Sequence, residues 1–149
     1  MNYGEKAKEL FLEGANCAQA VLCAFCDKTG LDMETSMKLA SSFGGGMGRM
    51  REVCGACSGM FMVAGLLKGY SDMKADDEKK EHYALIQKLA EEFKKENGSI
   101  VCRELLDGIE NNDSSPNPSK RTQAYYKKRP CAEYVADAAR IMEEFLKDK

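Results

Sequence analysis

Apolar side chains recur along this chain at intervals of three and four residues, and no stretch alternates with period two among β-branched residues. Ala7, Leu10, Phe11 and Gly14 follow the rule first, then Tyr83, Ile86, Ala90 and Phe93, then Tyr134, Ala138, Ile141 and Phe145. A helix places such residues on one stripe, so each segment needs another helix against which to bury it. The expectation is an all-α fold, a compact bundle of six or seven helices with a long polar loop before the C-terminal helix. At 149 residues it forms one helical domain over residues 1–149.

The punctuation agrees with this reading. Asn16 and Asp32 stand where helix caps are expected, and Gly30, Gly69, Gly98 and Gly108 where C-terminal glycines are expected. The uncharged run "MFMVAGLL" reads as a buried helix continuing from "CGACSG", because Met, Leu and Ala are helix formers. Residues 108–129, "GIENNDSSPNPSKRTQAYYKKR", form the long loop, with Tyr125 and Tyr126 able to pin part of it down.

Net charge is −2, which gives no electrostatic reason to bind nucleic acid or an anionic membrane. The start "MNYGEKAKEL" scatters its charges and lacks the apolar run of a secretory leader, and Val53 to Leu67 is too short to span a bilayer. A cytoplasmic protein without membrane insertion is expected, and an oligomer is open to it. In that setting the seven cysteines are free thiols rather than a disulfide framework. The single histidine, His82, sits among charges in "DDEKKEHYALIQK" and reads as a surface residue, so no multi-histidine metal site can form.

Four cysteines lie at expected helix starts: Cys17 after Asn16, Cys54 after the glycine run, Cys102 beyond the cap candidate Ser99, and Cys131 after Pro130. Unpaired N–H groups and the helix dipole favour thiolate there. Cationic neighbours add to this at Cys54 (Arg49, Arg51) and Cys131 (Lys127, Lys128, Arg129), which makes those two the candidate reactive thiols. The alternative at each position is a small hydrophobe filling a helix end. Cys23 and Cys26 lie inside the second helix and read as core. Cys17 falls about 180° around that helix from Cys26, which argues against one shared metal site.

Cys54 and Cys57 make a C-x-x-C pair, "CGAC", suited to a dithiol, yet the strand that precedes a thioredoxin motif is missing and Cys57 can equally be core. "FGGGMGRM" fails both phosphate fingerprints. It remains either a tight corner or a weak anion cradle from Gly46, Gly48 and Arg49. Gly55 and Gly59, one turn apart, would let another helix approach near Cys54. Ser58 lacks the setting of a nucleophile elbow. Zinc held by Cys23, Cys26, Cys54 and Cys57 is opposed by the helical setting of the first pair.

Taken together, "NCAQAV" at Asn16, "GGGMGR" running into "CGACSG", "CRELL" at Cys102 and "CAEYVADAA" at Cys131 resemble the redox-active family named for its C-GCAxxG-C-C pattern. The resemblance implies a small cytosolic protein whose characteristic cysteines are Cys17, Cys54, Cys102 and Cys131, with Gly55, Ala56 and Gly59 completing a CGAxxG motif. It also implies genes lying near transporter genes and an unspecified redox partner.

Three functions follow. The first is thiol-disulfide chemistry, with Cys54 or Cys131 attacking and another of the four resolving. A Cys102–Cys131 bond would close the long loop and stabilise the fold by about 3.6 kcal/mol. The second is an electron carrier whose four thiolates, Cys17, Cys54, Cys102 and Cys131, hold an iron–sulfur cluster or another soft metal. The third is a non-catalytic helical interaction protein with packed cysteines.

Overall fold

A computed structural model describes residues 2–109 and 113–147. The chain is all-α: α1 (Tyr3–Leu12), α2 (Cys17–Ala24), α3 (Cys26–Thr29), α4 (Met33–Ala40), α5 (Gly44–Met47), α6 (Gly55–Lys68), α7 (Asp76–Asn97), α8 (Cys102–Leu105), α9 (Gln123–Lys128) and α10 (Cys131–Lys147). Six of these run to eight residues or more, and the rest are one- or two-turn connectors.

The long helices are where the three-and-four spacing put them. α10 packs on α1, α2, α6 and α7, and α2 packs on α6, so the core lies between the C-terminal helix and the first two. Ala7 and Phe11 of α1, Leu22 of α2, Met60 and Val63 of α6, and Ala138 and Met142 of α10 are buried there. Each large apolar side chain so buried contributes about 1.5–3 kcal/mol. α6 lacks charge until Lys68 because every residue from Gly55 to Met60 is buried, so the helix has no solvent face in its first turns. α7 buries Leu89 and Phe93 in the core and packs Leu85 and Ile86 partly against it. Its upstream Tyr83 is 54% exposed, against the stripe expected there.

Local caps are where the residue types place them. Asp32 accepts from the Thr35 N–H at the start of α4, and Gly30 and Gly98 end helices in the left-handed conformation. Gly69 does not; it is extended. The second helix is shorter than expected, breaking at Phe25 (φ −102°, ψ 15°), so Cys26 opens α3. Its Sγ lies 3.4 Å from Ser36 Oγ, while Cys23 is buried in the core. The break turns the large Phe25 ring inward, where it stacks on Tyr3 at 4.2 Å.

The segment 108–129 also departs from a plain loop, because Thr122 caps α9 by accepting from the Tyr125 N–H. Tyr126 meets the Phe11 ring edge-on at 6.2 Å, and Arg121 lies 4.3 Å over that ring while donating to the carbonyls of Phe11 (2.6 Å) and Ala15 (2.9 Å). These contacts fasten the second half of the segment to α1. His82 is half-buried rather than on the surface, its ring 6.0 Å from that of Tyr70.

Candidate functional site

Four helix starts meet around one cavity of about 320 Å³, and Cys17, Cys54, Cys102 and Cys131 all line it. Asn16 sets the first of them: its Oδ1 accepts from the Gln19 N–H (2.8 Å) while Gln19 Oε1 accepts from the Asn16 N–H (2.9 Å). This reciprocal cap fixes the first turn of α2 and leaves Cys17 as its first residue.

Gly55 and Gly59 bring α6 against that turn. A Cβ on Gly55 would lie 3.0 Å from Cys17 Cβ, and one on Gly59 would lie 2.8 Å from the Ala18 carbonyl oxygen. The CGAxxG spacing thus lets α2 and α6 touch backbone to backbone, and Cys54, at the flanking position of α6, comes beside Cys17.

Cys102 joins them through a short antiparallel pairing that the helical periodicity gave no sign of. Val53 bridges Val101, the Cys54 N–H donates to the Ile100 carbonyl (2.7 Å), and the Cys102 N–H donates to the Glu52 carbonyl (2.6 Å). The glycine run makes room for it by an unusual backbone. Gly45, Gly46, Met47, Gly48 and Arg49 all have positive φ, between 62° and 73°, and Arg51 repeats it at 62°. A left-handed turn costs about 1–2 kcal/mol at each residue other than glycine. Hydrogen bonds from the Arg49 N–H to the Gly44 carbonyl (3.1 Å) and from Glu52 to Gly46 (2.9 Å) hold it closed. Gly46 is required twice over, because a Cβ there would also meet Cys102 Cβ at 2.7 Å.

The turn aims two arginines differently from their sequence neighbourhood. Arg49 donates to the carbonyls of Ser115 (2.7 Å) and Asn117 and to Ser119 Oγ (3.2 Å), and pairs with Asp113 at 3.6 Å. Gly46, Gly48 and Arg49 do line the cavity. The Arg49 guanidinium also clamps the segment 113–119 across it. Arg51 donates from Nε to the Asp113 carbonyl (3.0 Å) and from Nη1 to Cys102 Sγ at 3.7 Å. Its sulfur partner is therefore Cys102, not the adjacent Cys54.

The thiols divide into two kinds. Cys131 is lowered from its ordinary 9.0 to about 7, first because Cys17 donates a hydrogen bond to its sulfur, with Arg129 and Arg51 adding positive charge and burial opposing. Cys17 is correspondingly pushed up, above all by that bond and then by burial. Cys54 is lowered because Cys57 donates to it, joined by the N–H groups of Ala56 and Cys57 at the helix start. Cys57, fully buried, is pushed up by the same bond and by burial. Burial also raises Cys102, with Arg51 working against it. Cys54 and Cys131 are thus lowered, each first by a neighbouring thiol, while Cys17 and Cys102 are raised. The side chains of Lys127 and Lys128, expected to assist Cys131, lie outside the described residues.

All seven cysteines are free thiols. Among the described residues no three His, Cys, Asp or Glu side chains are arranged to hold a metal ion. The ionisation of Cys131 is tied most strongly to Cys17, and that of Cys54 to Cys57. Sequence reasoning passed over Arg121, whose role on α1 shows only when 108–129 is seen folded back. The C-x-x-C spacing offered Cys54 with Cys57, but nothing in the sequence pointed to Cys17 with Cys131.

Residues 15–145 match the family described as "Putative redox-active protein (C_GCAxxG_C_C)". The chain belongs to this family. The match spans Cys17, Cys54, Cys102 and Cys131, the four cysteines that line the cavity, and the segment from Cys54 to Gly59. No curated protein and no solved structure matches the chain significantly. Among the described residues no helix is long and apolar enough to cross a membrane.

Proposed function

We propose that the protein carries out thiol-disulfide exchange, with Cys131 as the attacking thiolate and Cys17 as the resolving thiol. What supports the reading is that Cys17 and an acidic Cys131 line the same cavity, together with Arg51 and Arg129. An attacking thiol works best with a pKa near ambient pH, where it is both ionised and nucleophilic.

In the forward direction the Cys131 thiolate attacks one sulfur of a substrate disulfide. A Cys131–substrate bond forms, the substrate S–S bond breaks, and the first thiolate leaves and takes up a proton. The negative charge next to Cys17 is then gone, and with it one of the causes that hold the Cys17 proton. Cys17 loses that proton to solvent and attacks Cys131 Sγ, releasing the second substrate thiol. One disulfide has been reduced to two thiols and one dithiol oxidised to a Cys17–Cys131 disulfide. Cys54 lines the same cavity, with Cys57 buried behind it.

The test is oxidation of the reduced protein with glutathione disulfide, quenched in acid and mapped under non-reducing conditions. A peptide joining Cys17 to Cys131 is expected, with a trapped mixed disulfide on Cys131 in Cys17→Ser. Pairing of Cys102 with Cys131, or alkylation of Cys131 with no inflection below about pH 8, would refute the assignment.

A further inference from the structure

Four guanidinium groups, Arg49, Arg51, Arg121 and Arg129, wall the thiol cavity, and no carboxylate does so among the described residues that line it. Arg49 and Arg121 are turned onto backbone carbonyls. Arg51 donates to the Asp113 carbonyl and to Cys102 Sγ, Arg129 lies 5.0 Å over the Tyr125 ring and adds positive charge near Cys131, and both are buried, with 5% and 6% of their surface exposed. Fixed cations in a low-dielectric wall act on anything that enters, and favour a molecule of opposite charge.

The rest of the lining narrows the chemistry. Leu105, Pro116, Pro118, Tyr125 and Tyr134 give the wall apolar surface, which suits carbon next to the reacting sulfurs more than a bare inorganic oxyanion. A volume of about 320 Å³ takes a molecule of a few amino acids at most and does not admit a folded protein's disulfide. Building on the exchange reaction proposed above, we infer that the substrate is a small organic disulfide bearing carboxylates, drawn to Cys131 by Arg51 and Arg129.

The reduced protein is oxidised by three dialkyl disulfides of similar size: 3,3′-dithiodipropionate with two carboxylates, neutral bis(2-hydroxyethyl) disulfide, and cystamine with two ammonium groups. In each case two small thiols are released and one protein disulfide forms. Rates are divided by those of a free alkyl thiol with the same reagent, which removes the intrinsic reactivity of each. The anionic reagent should outpace the cationic one by about tenfold or more at low salt, and the ratio should shrink as salt screens the site. Arg51→Gln and Arg129→Gln should each lower the ratio several-fold, and Arg129→Lys should keep it. The same thiolate attacks both reagents, so any change in its ionisation cancels in the ratio. If a glutamine variant fails to fold, the salt dependence of the unaltered protein decides. Equal normalised rates, or a preference for cystamine, would overturn the inference and leave exchange standing. Failure of all three reagents to oxidise the protein would overturn both.

Discussion

Replacing Cys17 separates the two ways in which this site could acidify Cys131. The drop from 9.0 to about 7 has the Cys17 hydrogen bond as its largest cause, with Arg129 and Arg51 behind it. Two units correspond to about 3 kcal/mol. A hydrogen bond to a charged group contributes about 1.5–3 kcal/mol, so Cys17→Ala should raise the Cys131 pKa by about one unit or more. Cys17→Ser retains an O–H donor and should leave it near 7. Below the inflection each unit lost removes about nine-tenths of the thiolate, so alkylation of Cys131 should slow about tenfold in the alanine variant. The assay is the pH dependence of iodoacetamide labelling, resolved by peptide mass. An inflection still near 7 in Cys17→Ala would refute the reasoning and assign the acidity to the cations alone. Stability should follow the same titration. Because the folded Cys131 pKa is depressed, its contribution is fully present above the ordinary value near 9 and is lost as pH falls through about 7. Cys17, raised, acts in the opposite sense above about 9, where its unfolded thiol ionises and its folded one does not. The urea midpoint of the reduced protein should therefore climb from about pH 7 to about pH 9 and fall beyond it, with a smaller climb in Cys17→Ala.

Two glycines of α6 should respond to alanine with opposite signs under urea denaturation. Gly59→Ala, with the Ala18 carbonyl 2.8 Å and Val21 Cβ 2.9 Å away, should cost about 1–3 kcal/mol, whereas Gly65→Ala, with nothing within 4 Å, should gain about 0.5–1 kcal/mol. Gly46→Ala combines a φ of +73° with a 2.7 Å approach to Cys102 Cβ and should cost about 3 kcal/mol or more, with Cys102 becoming faster to alkylate. Arg49→Gln releases the carbonyls of Ser115 and Asn117, so limited proteolysis should cut within 113–119 several-fold faster; an unchanged rate would show that Arg51 alone holds the segment.

Much of this molecule is written in short-range signals. The spacing of Ala7 and Phe11 or of Ala138 and Ile141 specifies which helix face is buried, and Asn16, Asp32, Gly30 and Gly98 mark ends because a cap acts within one turn of its own residue. The same locality put Cys17, Cys54, Cys102 and Cys131 at helix starts, and Gly55 and Gly59 on one face for close approach. The tertiary structure alone brought Cys131 to Cys17 and decided which charges serve the sulfurs. Cys131 meets Cys17 because α10 packs across α2, and Cys102 meets the site through the bridge of Val53 with Val101. Arg51 leaves its neighbour Cys54 for Cys102 because a left-handed backbone reverses the direction of its side chain. Such choices depend on contacts between residues far apart in the chain. Periodicity and capping carry no information about them, since both are set by the few residues that share a turn.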